Sequence, residues 1–192
     1  MTASGSGQPA RLLIDVLQTL ARLSVPNAVV GGFAVSFHGV VRGTDDAEAA
    51  VWLKGTSLDR VDLVRELKNA GFQVELRAGE SDDPIAAVIV VHDKYGNRTD
   101  LLLGVRGMDP AASSRTVPSA ILGSSVKIIG AEDLIAMKIF AGGSRDLEDV
   151  KNVLQVSGLR LDLALLRRVT RRYGSGEAKI LDRLLKENLP PS

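Results

Sequence analysis

The sequence predicts an α/β domain followed by an all-helical region, and three observations carry that class. Short apolar runs of strand length alternate with amphipathic stretches over the first two thirds of the 192 residues. Glycine, proline and asparagine punctuate the junctions between them. Beyond residue 130 the strand-like runs stop and only three- and four-residue apolar steps remain. The expected organisation is a disordered tail over 1–9, an α/β domain over 10–130 and a helical region over 131–192. A chain 45% hydrophobic and 24% charged suits one globular domain with a small helical appendage.

Taken in order, the tail MTASGSGQP is small and polar, and without a long apolar core it is not a signal peptide. Leu12, Leu13, Val16, Leu17, Leu20 and Leu23 stripe a helix over 10–23, which Pro26 and Asn27 stop. A strand opens near Ala28, turns at Gly31-Gly32 and leads into a short helix over 33–38 that Gly39 ends. The second strand, 44–53, puts Ala47 and Ala49 on the face opposite Asp46 and Glu48, where a helix packs closely. Thr56 and Asp59 match a capping box, Leu58, Val61, Val64 and Leu67 form the stripe that follows, and Gly71 closes the helix. Strands are expected over 72–76, 85–91 and 98–103. The last two are joined by a hairpin at Tyr95-Gly96-Asn97. Residues 108–125 are weakly periodic, with a short strand within 115–121, and 126–129 is another strand. Helices then follow over 131–141, with Glu132 and Asp133 suiting the dipole, over 145–156, capped by Ser144, over 161–173 and over 177–189.

Lys and Arg number 24 against 23 Asp and Glu, so a net charge of +1 exerts no broad pull on nucleic acid. The run Arg167-Arg168 and Arg171-Arg172 reads as the solvated face of a helix in preference to a polyanion site. The absence of cysteine excludes disulfides and thiolate metal sites. No apolar run approaches the roughly 20 residues of a membrane span, so no membrane partner and a soluble, cytoplasmic protein are expected.

The chemistry concentrates in 31–52. Glycines after an apolar run permit positive φ and close approach of a ligand to the backbone, and a helix start favours phosphate. Asp46 and Glu48, two apart on a strand, share a face. Paired hard carboxylates beside such a turn point to a magnesium site handling a nucleoside triphosphate. Asp100, the one acid among the leucines of 98–103, is either paired by Arg98 or Arg106 or bound to a cation. His38 is either a phosphate or base contact or a helix-end cap. Arg42 is either a phosphate clamp or a partner of a nearby acid.

The positions Gly31, Gly32, Arg42, Thr44, Asp46 and Glu48 resemble the Gly-Gly and Arg-x-Thr-x-Asp-x-Asp pattern of the nucleotidyltransferase superfamily, with Glu48 where that pattern has its second Asp. The superfamily includes DNA polymerase beta, aminoglycoside nucleotidyltransferases and AbiEii-type toxins, the last being the subgroup most resembled. The segment from Glu132 to Lys138, with Ser144 to Asp149, is similar to the one many bacterial members carry after the catalytic domain.

The resemblance implies a mixed sheet flanked by helices, followed by a C-terminal helical bundle. It implies Asp46, Glu48 and Asp100 as catalytic carboxylates holding two Mg2+ ions, with Mn2+ as a substitute. Gly31, Gly32, Arg42, Thr44 and Lys138 would contact the nucleotide. Lys138 is otherwise a snorkelling surface lysine. Arg145 and Asp146 either bind substrate or pair and cap. The implied partners are an NTP, a hydroxyl acceptor such as a tRNA end, a protein or a small molecule, and a cognate antitoxin. The alternative is a catalytically weakened member that binds nucleotide or a partner.

Overall fold

Seven strands form one mixed sheet in the computed structural model, which describes residues 3–40 and 47–188, the side chain of Leu159 excepted. The expected α/β class with flanking helices is what is observed. Helix α1 (Pro9–Arg22) buries Leu12, Leu13, Val16, Leu17 and Leu20, and Pro9 starts it where a missing N–H costs nothing. The segment before it is tied down: Gln8 N–H donates to the Asn97 side chain at 2.7 Å, and Asn97 donates to the Gly5 carbonyl at 2.8 Å.

Strand β1 (Asn27–Val29) leads directly into α2 (Gly31–Phe37). Strand β2 (Ala47–Val51) runs antiparallel to β1, while β5 (Arg98–Val105) lies parallel on its other side. Strands β3 (Gln73–Ala78) and β4 (Ile85–His92) extend the sheet outward from β5. The hairpin of β6 (Val117–Ile121) and β7 (Ser124–Ile128) joins the far side through β1, giving the order β3-β4-β5-β2-β1-β7-β6. On one face Ala47, Ala49, Val51, Leu101 and Leu103 are buried with α1 against them. The small alanines leave the room for that helix that the sequence suggested.

Helix α3 (Arg60–Asn69) departs from expectation at two points. Its capping box is made by Asp59 with Asp62, whereas the Thr56 hydroxyl donates to the Leu53 carbonyl at 2.8 Å. Its fully buried positions are Leu63 and Leu67, and Val61 is exposed, because the helix lies with the 63/67 line toward the sheet. Among the helices after the sheet, α4 (Ala131–Ala141) ends at Gly142, whose φ of 68° only glycine adopts without strain. The chain then turns sharply into α5 (Ser144–Ser157). Gly143 is its N-cap and no side chain caps it, so Ser144 does not play the expected role. Helices α6 (Leu163–Arg171) and α7 (Ser175–Asn188) are the last elements of the described residues. No helix among the described residues is long and apolar enough to cross a membrane.

Candidate active site

The register of β2 and β5 places the acids. Glu48 is directly opposite Asp100 in a parallel pairing, so both side chains leave the same face of the sheet. That face is opposite the one packed on α1. The row continues outward: Asp100 pairs with Val90 of β4, and Val90 with Glu75 of β3. Three acids therefore share one line across the sheet. Asp100 is gripped by Arg98 from two residues earlier on its own strand, with Nε to Oδ1 and Nη2 to Oδ2 both at 2.7 Å. Glu75 is held the same way by Arg77, at 2.8 and 3.0 Å, and that guanidinium keeps the Glu75 carboxyl below its ordinary value. Of the two partners weighed for Asp100, the one present is Arg98; Arg106 donates instead to the Ser81 carbonyl.

Gly31 sits at the mouth of the β1–α2 turn with φ +61°. A β-carbon at that position would overlap the Glu48 carboxylate, so the turn and the acid are in direct contact. Gly32 is buried in the first turn of α2. Helix α4 faces Glu48 across a cleft that Asp100 does not line. Gly31, Glu48, Lys138 and Asp146 line one cleft of about 250 Å3, closed on its apolar sides by Leu102, Val105, Met137 and Phe140.

Lys138 is not a snorkelling surface lysine. Its side chain is 10% exposed, and its ammonium donates to Asp146 at 2.7 Å and pairs with Asp149 at 2.8 Å. The second of these acids escaped the sequence reading. Its signal was available: Asp146 and Asp149 are three apart on α5, hence on one helix face, and the Gly142 turn brings that face back to α4. The start of α4 is also fixed by charge. Arg115 forks onto Asp133 at 2.8 and 3.0 Å and reaches Asp109 at 3.2 Å, so Asp133 does more than complement the dipole.

His38 lies at the far end of α2. Its Nε2 donates to the Ile129 carbonyl at 2.9 Å, and its own carbonyl accepts from Ser157 Oγ at 3.2 Å. Burial lowers its pKa from the ordinary value, opposed by the Ile129 bond and the charge of Glu132. Arg145 is exposed in the first turn of α5 and does not line the cleft. Arg42, Thr44 and Asp46 lie outside the described residues. Within those described, no group of three or more His, Asp or Glu is gathered closely enough to hold a metal ion.

No protein-family model matches the sequence, and no curated protein matches it. Solved structures do match in fold. The solution structure of the antibiotic-resistance factor ANT(2'')-Ia has a TM-score of 0.56 at 14% identity, over 91% of this chain and 95% of that one. The crystal structure of ANT(2'')-Ia with adenylyl-2''-tobramycin gives 0.59 at 15% identity, over 86% and 98%. An antigenic nucleotidyltransferase-like protein from Paracoccidioides brasiliensis gives 0.55 at 14% identity, over 95% and 89%. The likeness is one of fold, and it spans nearly the whole of each chain.

Proposed function

We propose that this chain transfers a nucleoside monophosphate from an NTP to a hydroxyl acceptor. The observation that carries the reading is the pairing of Glu48 with Asp100, abreast on parallel strands, with Glu48 against the Gly31 turn and in one cleft with Lys138. The shared fold with ANT(2'')-Ia, a structure holding adenylyl-2''-tobramycin, supports a small-molecule acceptor.

Glu48 and Asp100 offer hard oxygen donors of the kind magnesium takes, and Asp46, two residues before Glu48, completes the proposed set. Bound divalent ions would supply charge neutralisation on the triphosphate and acidify the acceptor hydroxyl. The chain's own groups do the rest. Gly31 and Gly32 let the triphosphate approach the backbone. Lys138 donates to it from a partly desolvated position, where a charge-assisted bond is strong. Asp100 accepts the proton of the acceptor hydroxyl as its oxygen bonds to the α-phosphorus and pyrophosphate leaves. Arg42 and Thr44 belong to the nucleotide side in this reading, and Arg145 and Asp146 to the substrate side.

The test is incubation with each labelled NTP, magnesium and a panel of aminoglycosides, with pyrophosphate release as the readout. Glu48→Ala is expected to abolish release and Glu48→Asp to retain it. Labelling of tRNA or protein with the antibiotics inert would move the acceptor to the AbiEii-like, toxin class. NTP binding with no release under any condition would leave the non-catalytic module.

A further inference from the structure

The two edges of the sheet are finished differently. Strand β6 carries Pro118, which has no N–H to offer a neighbour, so that edge is blunted. Strand β3 has six residues with no proline, glycine or lysine among them, and among the described residues it pairs with β4 alone. The hairpin tells which of its backbone groups point outward. Gly79 N–H donates to the Ala86 carbonyl at 3.0 Å. Along an antiparallel ladder the groups of alternate residues point the same way. Gln73, Glu75 and Arg77 therefore turn theirs to β4, and Val74, Leu76 and Ala78 turn theirs away from the sheet.

We propose that this edge joins the same edge of a second copy of the chain, antiparallel and centred on Leu76. The strand is its own complement about that residue. Val74-Glu75-Leu76-Arg77-Ala78 laid against itself sets Leu76 on Leu76, Val74 on Ala78, and Glu75 on Arg77 twice. Opposite charges directly across a ladder are favourable and like charges are not. The neighbouring symmetric registers lose this, since one sets Glu75 on Glu75 and the other Arg77 on Arg77. In the register centred on Leu76 the outward N–H and C=O groups of Leu76 meet their own copies, and those of Val74 meet those of Ala78, so the ladder closes.

The two charged residues are available for it. The side chains of Glu75 and Arg77 are 57% and 54% exposed, and an ion pair this exposed holds little energy. Sharing across the interface would make a ring of four alternating charges. The other charges that bear on them, His92 and Arg98 on Glu75 and Asp100 on Arg77, belong to β4 and β5, on the inner side. The two-fold axis of such a pairing stands perpendicular to the sheet, so Glu48 of both copies faces the same side. With three strand steps from β3 to β2 in each copy, the two lie roughly 30 Å apart.

Sedimentation velocity from micromolar to millimolar protein tests the pairing, with circular dichroism to check folding. Wild type is expected to shift toward dimer over that range. Glu75→Arg sets arginine on arginine and Arg77→Glu sets glutamate on glutamate, so each should weaken the dimer about tenfold or more. An equimolar mixture of the two should dimerise again, because each strand then faces its opposite. The double variant Glu75→Arg with Arg77→Glu should dimerise by itself. Ala78→Pro removes one outward N–H without touching the ladder to β4, and should leave a folded monomer. A wild type that stays monomeric throughout overturns the inference. So does a dimer that none of these variants weakens, or a pair of folded single variants that fails to recover on mixing. Were a single variant to unfold, the double variant and Ala78→Pro decide by the same criteria.

Discussion

The carboxylate of Glu48 rests against the Cα of Gly31, and no side chain fits between them. Glutamate reaches one methylene further than the aspartate of the resembled pattern, and here that reach ends at the glycine turn. Gly31→Ala should therefore cost more than the 1–2 kcal/mol or so of a left-handed backbone carrying a β-carbon. In a Glu48→Asp background, where the acid retracts, the cost should fall to about that backbone value. Urea unfolding of the four proteins of this cycle measures it. Equal cost in both backgrounds would show that the contact does not constrain the turn.

Lys138 neutralises a carboxylate that has almost no access to water, since the Asp149 side chain is 4% exposed. Removing one partner of a buried pair leaves the other charge uncompensated. Lys138→Met is expected to lower stability by about 3–5 kcal/mol, and adding Asp149→Leu should restore more than half of that. A loss below about 1 kcal/mol, the value of a surface pair, would put the lysine head in water after all. NTP affinity is best compared in the double variant, where the fold is preserved.

His38 makes stability depend on pH. Its native pKa is lowered from 6.5 by burial, so the folded state resists a proton that the unfolded chain accepts. Above 6.5 both states are neutral and nothing is lost. As the pH falls below 6.5 toward the native value, the unfolded state binds more protons and stability declines. Melting temperatures from pH 7.5 to about 5 should fall further for wild type than for His38→Gln, whose amide can keep the bond to Ile129. Parallel curves would mean that the histidine titrates in the folded protein as it does in water. Unchanged NTP binding by the variant would fix the residue as a tie between α2 and the end of β7.

The strand and helix pattern was legible because its signals are local. The apolar run of β4, the Tyr95-Gly96-Asn97 turn and the leucine stripe of α1 each occupy a single element. Asp100 stood out for the same reason, as the one acid among the leucines of its strand. Partners were harder. Arg98 was one of two arginines that sequence left open for Asp100, and geometry chose between them. Asp149 had half of its signal in the sequence, the three-residue spacing from Asp146 on one helix face; that this face meets Lys138 depends on the turn at Gly142, which is a tertiary fact. Val61 misled for a related reason: apolar residues on a short helix define two adjacent stripes, and the tertiary fit at Leu63 and Leu67 selects one.

In the proposed reaction, the ion pairs at the two ends of α4 would bear on the choice of acceptor. Arg115 on Asp133 at one end, and Lys138 on Asp146 and Asp149 near the other, fasten the lid of the cleft to two different parts of the chain. Swinging that helix aside would break both sets of bonds at once, so the gap beneath it acts as a fixed gauge. An acceptor larger than the gap would enter only by the arm that bears its reactive hydroxyl, with its body left outside. Selection would then fall on the width of that arm, and bulky relatives sharing one slender arm would pass equally well.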